Sequence, residues 1–214
     1  MDAITHKGSA DSTLARAGEA GEAGADIARR LSQRLRALRA ERGWSLQRAA
    51  ETCGVSKAML GQIERGESSP TVALLWRIAG GFGCALSDLL PPHAGAAAEV
   101  RDPRRVRSRP ASDAMLVAPL FAFDPALGFE VFELTLLPGY ERVSEPHVAG
   151  VVEHVVVQRG SLEVLSGGAW ARLGEGEGLR LAGDREHGYR NPGDAPVVFL
   201  DLIHYPRGRV AAQA

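Results

Sequence analysis

The sequence contains few cysteines and no long hydrophobic segment. Only Cys53 and Cys84 occur among 214 residues, which excludes a disulfide-stapled scaffold and fits a reducing compartment. No apolar run is long enough to span a bilayer, and the N-terminus lacks the basic start and apolar centre of a signal peptide. We therefore expect a cytoplasmic protein that does not associate with membranes.

The net charge is close to zero, but the charges are unevenly distributed along the chain. Residues 25–90 hold ten Lys/Arg against six Asp/Glu, whereas residues 114–214 hold eight against thirteen. A basic first half is typical of a surface that faces phosphate, and an acidic second half is repelled by it. The charge pattern thus favours a nucleic-acid-binding region followed by a region that stays off the nucleic acid.

The segment from Ser45 to Pro70 predicts two short helices joined by a tight turn. Gly54 suits the turn because it accepts a positive φ without a Cβ penalty. Ser56 is a favourable N-cap for the second helix, and Gly66 is a favourable residue to end it. Buried stripes at helical spacing are formed by Ala49, Ala50 and Cys53, and by Leu60 and Ile63.

This helix pair needs flanking helices to complete its core. The upstream helix ends near Gly43, and its apolar stripe consists of Ile27, Leu31, Leu35 and Leu38. Downstream, Leu74–Ala79 predict a fourth helix, and Leu86–Leu90 predict a short fifth helix that stops before Pro91-Pro92. The sequence therefore predicts a five-helix domain over residues 27–90.

About sixty residues of this region contain a series of characteristic residues at defined spacing. Its members are Arg39, Gly43, Ser45, Ala50, Gly54-Val55-Ser56, Ile63-Glu64-Arg65-Gly66, Pro70 and Leu74 through Ala79. The series resembles the lambda-repressor-like helix-turn-helix domain of the XRE family. A pattern of this length is far more specific than a short motif.

The resemblance implies that the second helix of the motif enters the major groove of double-stranded DNA. The residues placed by position against base edges are Ser56, Lys57, Ala58, Met59 and Gln62, and those placed against phosphates are Ser45, Gln47, Arg65 and Ser68. Lys57 suits guanine, Gln62 suits adenine, and Met59 suits a thymine methyl group. The alternative is that Lys57 and Gln62 only solvate an exposed helix.

Residues 91–113 predict a basic linker, because small residues, prolines and arginines occur there without apolar periodicity. Its arginines, Arg104, Arg105, Arg107 and Arg109, either contact phosphate or are simply solvated. Residues 1–26 predict a disordered tail rich in Ala, Gly and charge, and residues 207–214 a C-terminal tail.

Beyond Met115 the apolar pattern changes from helical to alternating. Short strand-like runs separated by glycine-containing turns occur at 115–122, 129–137, 151–158, 161–165, 178–182 and 197–205. Many short, evenly spaced strands indicate a β-sandwich or a small barrel. If Glu153 points into this barrel, strand alternation places His154 outside.

Two spaced motifs lie within these strands. The first is Gly139, five residues, Glu145-Pro-His147, five residues, Glu153, six residues, Gly160; the second is Gly176, five residues, Ala182-Gly-Asp184, two residues, His187, three residues, Asn191. Together they resemble the paired motifs of the cupin family, which implies an all-β jelly roll over residues 114–206. The family's metal positions hold Glu145, His147, Glu153 and His187, with Glu145 where a histidine is usual.

Three interpretations of these four residues stay open. Imidazole and carboxylate donors suit Zn, Fe, Mn or Ni. The pocket can instead be metal-free and bind an organic effector, or the residues can be structural only. Further candidates to line the pocket are Tyr140, Arg180, Tyr189 and His204.

The sequence thus predicts an α+β multidomain protein with a helical DNA-binding domain and a jelly-roll sensor. We interpret it as a transcriptional regulator whose operator binding responds to a small effector or a metal. A single helix-turn-helix reads about half a site, so a homodimer on two-fold related half-sites is expected. No catalytic residue is assigned. The alternative is a metal-dependent cupin enzyme, of dioxygenase or isomerase type, with a helical accessory domain.

Overall fold

The computed structural model describes residues 28–90, 100–107 and 113–206. The predicted tails over 1–26 and 207–214 lie outside the described residues, as do linker residues 91–99 and 108–112. None of the helices in the described ranges combines the length and apolar character needed to cross a bilayer.

Four α-helices and one 3-10 helix make up residues 28–90. The α-helices are α1 (28–41), α2 (Leu46–Thr52), α3 (Lys57–Arg65) and α4 (Val72–Phe82), and the 3-10 helix spans Leu86–Leu89. The predicted fifth α-helix is therefore wrong in type. Gly83 ends α4 in the left-handed conformation, and the four residues of the last turn are too few to form an α-helix of ordinary length.

The helix boundaries follow from capping side chains. The hydroxyls of Ser45, Ser56 and Thr71 each accept a hydrogen bond from the backbone N–H three residues further along. Gly66 ends α3 with φ 74°, a conformation that costs glycine nothing. These caps fix where the motif's turn begins and ends, and so how α3 projects from the bundle.

The core of this bundle consists of the predicted stripes. Leu35, Leu38, Leu60 and Ile63 are fully buried, and so is Cys53. Cys84 is partly buried. Both thiols are free, in agreement with the absence of a disulfide scaffold.

Nine strands form the described part of the C-terminal half. They are β1 (Met115–Asp124), β2 (Phe129–Leu136), β3 (Glu141–Ser144), β4 (Val152–Arg159), β5 (Leu162–Ser166), β6 (Ala169–Leu173), β7 (Gly178–Ala182), β8 (His187–Arg190) and β9 (Val197–His204). They pair antiparallel in two sheets, of order β1-β2-β9-β4-β7 and β3-β8-β5-β6. Two antiparallel sheets of this order form the predicted jelly roll.

Strand alternation decides which side chains face the barrel interior. On β4, Glu153, Val155 and Val157 are buried, whereas His154 and Val156 are exposed. His154 therefore points outward, as predicted. Glu153 lies opposite Ile203 of β9 and Leu181 of β7, so these three side chains share the inner face.

The helical domain packs on the mouth of the barrel through the 3-10 helix. The buried carboxylate of Glu130 on β2 accepts hydrogen bonds from the N–H groups of Leu86 at 3.3 Å and Ser87 at 3.0 Å. The N–H of Phe123 in turn donates to the Ser87 hydroxyl at 2.8 Å. Because these bonds are buried, they hold the bundle in one orientation and place α4 beside the barrel mouth.

The part of the linker that the structure describes is attached to the barrel. Residues Pro103–Val106 form a short helix, α5, capped by Asp102. The Arg107 guanidinium donates to the Glu133 carboxylate on β2, and Arg104 pairs with Asp102. These two arginines are thus engaged within the chain in this structure.

Candidate functional site

Three predicted ligand residues converge inside the barrel mouth. His147 lies in the loop after β3, Glu153 on β4, and His187 at the start of β8, and one donor atom from each lies within 4.8 Å of the others. Glu153 Oε1 is 2.9 Å from His147 Nε2 and 3.4 Å from His187 Nε2. The loop is held in place because the N–H of His147 donates to the carbonyl of Gly183 at 2.9 Å. We call His147, Glu153 and His187 the triad.

The protonation states of the triad follow from its surroundings. Burial alone would raise the pKa of Glu153, but the neighbouring imidazoles of His147 and His187 and the Tyr189 hydroxyl lower that pKa to about 2. Burial lowers the pKa of His187. Near neutral pH the site therefore contains an ionised carboxylate and a neutral His187.

The tautomer of His187 directs a lone pair at Glu153. His187 Nδ1 lies 2.7 Å from the carbonyl oxygen of Arg185, so Nδ1 carries the proton and Nε2 is an acceptor. Glu153 Oε1 is buried, and no residue in the described part of the chain forms a well-aligned hydrogen bond with it. Two electron-pair donors thus face each other across 3.4 Å, an arrangement that a cation between them would stabilise.

The donor set fits a divalent transition metal on chemical and geometric grounds. Metal binding requires deprotonated carboxylate and neutral imidazole, which are the states described for Glu153 and His187. Donors on a metal with bonds of about 2.0–2.2 Å stand roughly 3–4 Å apart, comparable to the separations in the triad. A two-His, one-carboxylate set leaves coordination positions open for another ligand.

Two further residues hold the Glu153 carboxylate in position. The Tyr189 hydroxyl on β8 donates to Glu153 Oε2, and such outer contacts orient metal ligands. Gly183 supplies the necessary space, because a Cβ there would lie 2.8 Å from Glu153 Oε1. Tyr189 thus lies beside the triad.

The other candidate residues lie elsewhere. Glu145 is on the rim, where its exposed carboxylate pairs with Arg77 of α4 at 2.8 Å, and it is not a member of the triad. Tyr140 is half-buried against the hydrophobic core. Arg180 and His204 are exposed on the outer face of the five-stranded sheet, because Arg180 lies opposite the outward-facing His154 and His204 follows the inward-facing Ile203.

A residue of the helical domain contacts the triad directly. The Trp76 ring of α4 lies 4.5 Å from the His147 ring, centroid to centroid, with an angle of 32° between the planes. Its other side meets Phe132 of β2 edge-on at 6.3 Å. Neither Trp76 nor Arg77 was predicted as a site residue, because a contact between two domains leaves no periodic pattern in either one.

The predicted DNA-reading residues form an exposed ridge on α3. Lys57, Ala58 and Gln62 are exposed, and Met59 is 38% exposed despite its apolar side chain. Ser56 caps this helix. The ridge is therefore open to a partner along its N-terminal half.

The predicted phosphate contacts surround this ridge. Ser45 caps α2 and is exposed. The Gln47 amide donates to Glu51 at 2.7 Å, and Arg65 pairs with Glu67 at 2.7 Å. Ser68 is half-buried. The pair of Arg65 is exposed and therefore weak, so a phosphate can replace Glu67 at little cost.

Comparison with known proteins matches each half of the chain to a protein family. A helix-turn-helix family model matches residues 35–89, and a cupin domain family model matches residues 132–203. The HTH-type transcriptional regulator SutR of Escherichia coli strain K12 is 50% identical over 182 residues, which cover 85% of this chain and 98% of SutR.

Two more relatives agree with this relationship. The crystal structure of an HTH_3 family transcriptional regulator from Vibrio cholerae is 38% identical, with a TM-score of 0.74 over 86% of this chain and 99% of that one. The HTH-type transcriptional regulator DdrOP3 of Deinococcus deserti is 38% identical over 61 residues, which cover 28% of this chain and 47% of DdrOP3. Sequence, fold and near full-length similarity agree: the chain belongs to the XRE-family transcriptional regulators that join a helix-turn-helix domain to a C-terminal cupin domain.

Proposed function

We propose that this regulator reads operator DNA with α3 and that a divalent transition metal held by the triad controls its affinity for that DNA. The observation that carries the proposal is the contact between the Trp76 and His147 rings, whose centroids are 4.5 Å apart. His147 belongs to the triad and Trp76 belongs to the DNA-binding domain. One side chain therefore joins the metal-type site to the domain that reads DNA.

For DNA recognition, Lys57, Met59 and Gln62 are proposed to contact base edges. Their exposure along α3 supports this role, as does their position in the motif. Ser56 and Ala58 lie alongside them, and Ser45, Gln47, Arg65 and Ser68 are proposed to hold phosphates on either side.

For metal binding, His147, Glu153 and His187 are proposed as the protein ligands of Zn, Fe, Mn or Ni. A bound ion would neutralise the Glu153 charge and offer open positions to an exogenous ligand. Tyr189 orients the carboxylate through its hydroxyl. The rival to this proposal is a metal-free pocket that binds an organic effector with the same residues.

Coupling between the domains requires two arrangements with different affinities for the ligand. Coordination of a metal by His147 would fix the orientation of the imidazole ring. The Trp76 ring contacts this imidazole, so its position would be restricted as well. The Arg77–Glu145 pair at 2.8 Å adds a second contact between α4 and the rim. Metal binding is thus expected to favour one position of α4, and with it one position of α3.

We further infer that the protein works as a homodimer and as a sensor, not as an enzyme. A single α3 reads about half a site, so two copies are needed for a complete operator. The relatives named above are transcriptional regulators. Molar mass by light scattering and the stoichiometry on a palindromic operator test the first inference. Product analysis after incubation of metal-loaded protein with candidate metabolites tests the second.

The metal proposal is tested by metal analysis together with DNA binding. Elemental analysis of the purified chain is expected to give about one divalent metal per chain, and His187→Ala should remove it. His204→Ala is the matched control, because His204 is exposed on the outer face. Metal removal by a chelator should change operator affinity about 5- to 150-fold, with no such response in His187→Ala. Equal affinity with and without metal would refute the coupling.

The DNA proposal needs an operator, which selection from a random duplex library would supply. Lys57→Ala and Gln62→Ala should each reduce discrimination against mismatched sites by about 1–3 kcal/mol while non-specific binding stays nearly intact. Arg159→Ala, at an exposed position of the barrel, is the control. Unchanged sequence preference in both α3 variants would contradict the assignment of that helix.

A further inference from the structure

A cavity lies between the two domains, directly beside the triad. Its volume is about 560 Å³, within the range of small-molecule sites. One wall is α4 with Trp76 and Arg77, and the other is the barrel mouth with Arg142, Ser144 and His147. The cavity is thus lined by both domains and by His147 of the triad.

Arg142 is the distinctive charged group of this cavity. It lies on β3 opposite Tyr189 of β8, and so shares the inner face of the barrel with the residue that holds Glu153. Among the residues that the structure describes, its buried Nε has no hydrogen-bond partner. Its NH1 lies 3.9 Å from the Met115 thioether, which is a weak acceptor.

Two other partly buried arginines of the described ranges have carboxylate partners. Arg39 pairs with Glu64, and Arg190 pairs with Glu163. Within those ranges no carboxylate forms an ion pair with Arg142, and the nearby Glu153 carboxylate is held by the Tyr189 hydroxyl and faces His147 and His187. Burial of an uncompensated guanidinium is costly, so an anion that enters the cavity would relieve this cost.

We propose that the interdomain cavity binds a small organic carboxylate whose anionic group pairs with the Arg142 guanidinium. The planar fork of a guanidinium matches a carboxylate through two parallel hydrogen bonds. The Trp76 ring offers an apolar wall for the remainder of the molecule. The inference deepens the proposed function, since it rests on the same sensor site and names the class of its effector.

The location of the cavity gives such a ligand a regulatory consequence. A molecule that contacts both Arg142 of the barrel and Trp76 of α4 binds more tightly when α4 lies against the barrel mouth than when the two domains are apart. It therefore stabilises the contact between the domains by the difference between these two affinities. The cavity is also lined by His147 of the triad, so a metal held there would lie near the bound carboxylate.

The test uses full-length protein and matched pairs of probes. Acetate, pyruvate and benzoate are compared with acetamide, pyruvamide and benzamide by thermal shift and calorimetry at constant ionic strength, on metal-loaded and chelator-treated protein. At least one carboxylate is expected to bind the metal-loaded protein at least about tenfold more tightly than its amide, and Arg142→Gln should abolish this difference. Arg180→Gln, exposed on the outer face, should retain it.

Three results would overturn the assignment. They are equal binding of every carboxylate and its amide, unchanged carboxylate binding in Arg142→Gln, and equally tight Arg142-dependent binding of inorganic phosphate or sulfate.

If Arg142→Gln does not fold, Arg142→Lys replaces it. Lysine keeps the positive charge but loses the planar guanidinium, so the affinity of this variant for the best carboxylate should fall several-fold. Metal content and operator affinity are measured separately on the same variants. A failure of the proposed metal site or of its coupling to DNA binding is thereby distinguished from a failure of carboxylate binding at Arg142.

Discussion

The Arg39 guanidinium donates two parallel hydrogen bonds to the Glu64 carboxylate, from Nε to Oε1 at 2.8 Å and from NH2 to Oε2 at 2.9 Å. Its NH1 also donates to the carbonyl of Trp44 at 3.1 Å. One side chain of α1 thereby holds both α3 and the loop before α2. This relationship fixes the angle at which α3 leaves the bundle.

Arg39→Ala is expected to destabilise the helical domain because it leaves the nearly buried Glu64 carboxylate unpaired. The loss should be about 2–4 kcal/mol, near the lower end for breaking a buried pair, since Arg39 is 26% exposed. Denaturant unfolding measures it. Arg65→Ala, which removes the exposed partner of Glu67, is the control and should change stability little. Similar losses in both variants would contradict the structural role of Arg39.

Gly81→Ala should destabilise the packing of α4 on α2. A Cβ at Gly81 would lie 2.5 Å from Cys53 Cα and 2.6 Å from its Sγ, so the helices must separate, at a cost of about 1–3 kcal/mol or more. The neighbouring Gly80 is exposed, and a Cβ there meets no atom within 4 Å. Gly80→Ala should stabilise α4 by up to about 1 kcal/mol. Thermal unfolding of both variants should give shifts of opposite sign.

Gly183→Ala is predicted to weaken metal binding without replacing any ligand. The added Cβ would lie 2.8 Å from Glu153 Oε1, so the carboxylate must move. Loss of ligand orientation typically costs 10- to 100-fold in affinity, and chelator competition measures it. At Gly174 an added Cβ makes only an ordinary contact of 3.6 Å with Glu177, so Gly174→Ala should bind metal like the parent. Equal affinities in both variants would exclude this role for Gly183.

Asp201→Asn should raise stability in a pH-dependent manner. Burial, together with the negative charges of Glu153 and Glu130, raises the pKa of Asp201 well above its usual value. The unfolded chain, with a carboxyl pKa of about 3.9, releases this proton first, so the native state loses stability as the pH rises from there toward the folded pKa.

The asparagine variant does not titrate at this position. Its gain in unfolding free energy over the parent should therefore be smallest below about pH 4 and should grow by at most about 1.4 kcal/mol per pH unit above it. Denaturant unfolding between pH 4 and pH 8 measures the trend. Asp194→Asn, at an exposed turn, controls for the loss of a carboxylate. A gain that does not vary with pH would show that burial of the Asp201 charge is not its cause.

Local signals in the sequence were sufficient for the helical half. Ser56 and Gly66 predicted the ends of α3 because a capping hydroxyl and a left-handed glycine act within one turn of the chain. The last turn of the domain was misassigned as an α-helix, since its short apolar spacing does not distinguish an α-helix from the observed 3-10 helix over Leu86–Leu89.

The β half was harder to predict in detail. Strands β3, β6 and β8 were missed because they have only four or five residues, contain polar or small side chains, and are defined by their partners. Arg142 lies on β3, one of the missed strands, so its place in the wall of the interdomain cavity was not predicted. His147, Glu153 and His187 were found through motif spacing, whereas Glu145 shared that motif but turned outward to Arg77, a residue of another domain.

The contact of Trp76 with His147 also means that the intrinsic tryptophan fluorescence of the protein should report on the triad. The chain has three tryptophans, of which Trp44 stacks on Phe82 and Trp170 lies under Arg190, 4.2 Å from its guanidinium carbon. Only the indole of Trp76, among these three, lies on the triad. Intrinsic emission should therefore change when an ion or a small molecule enters, and a paramagnetic ion should quench Trp76 most strongly, which allows occupancy to be followed in solution without a label.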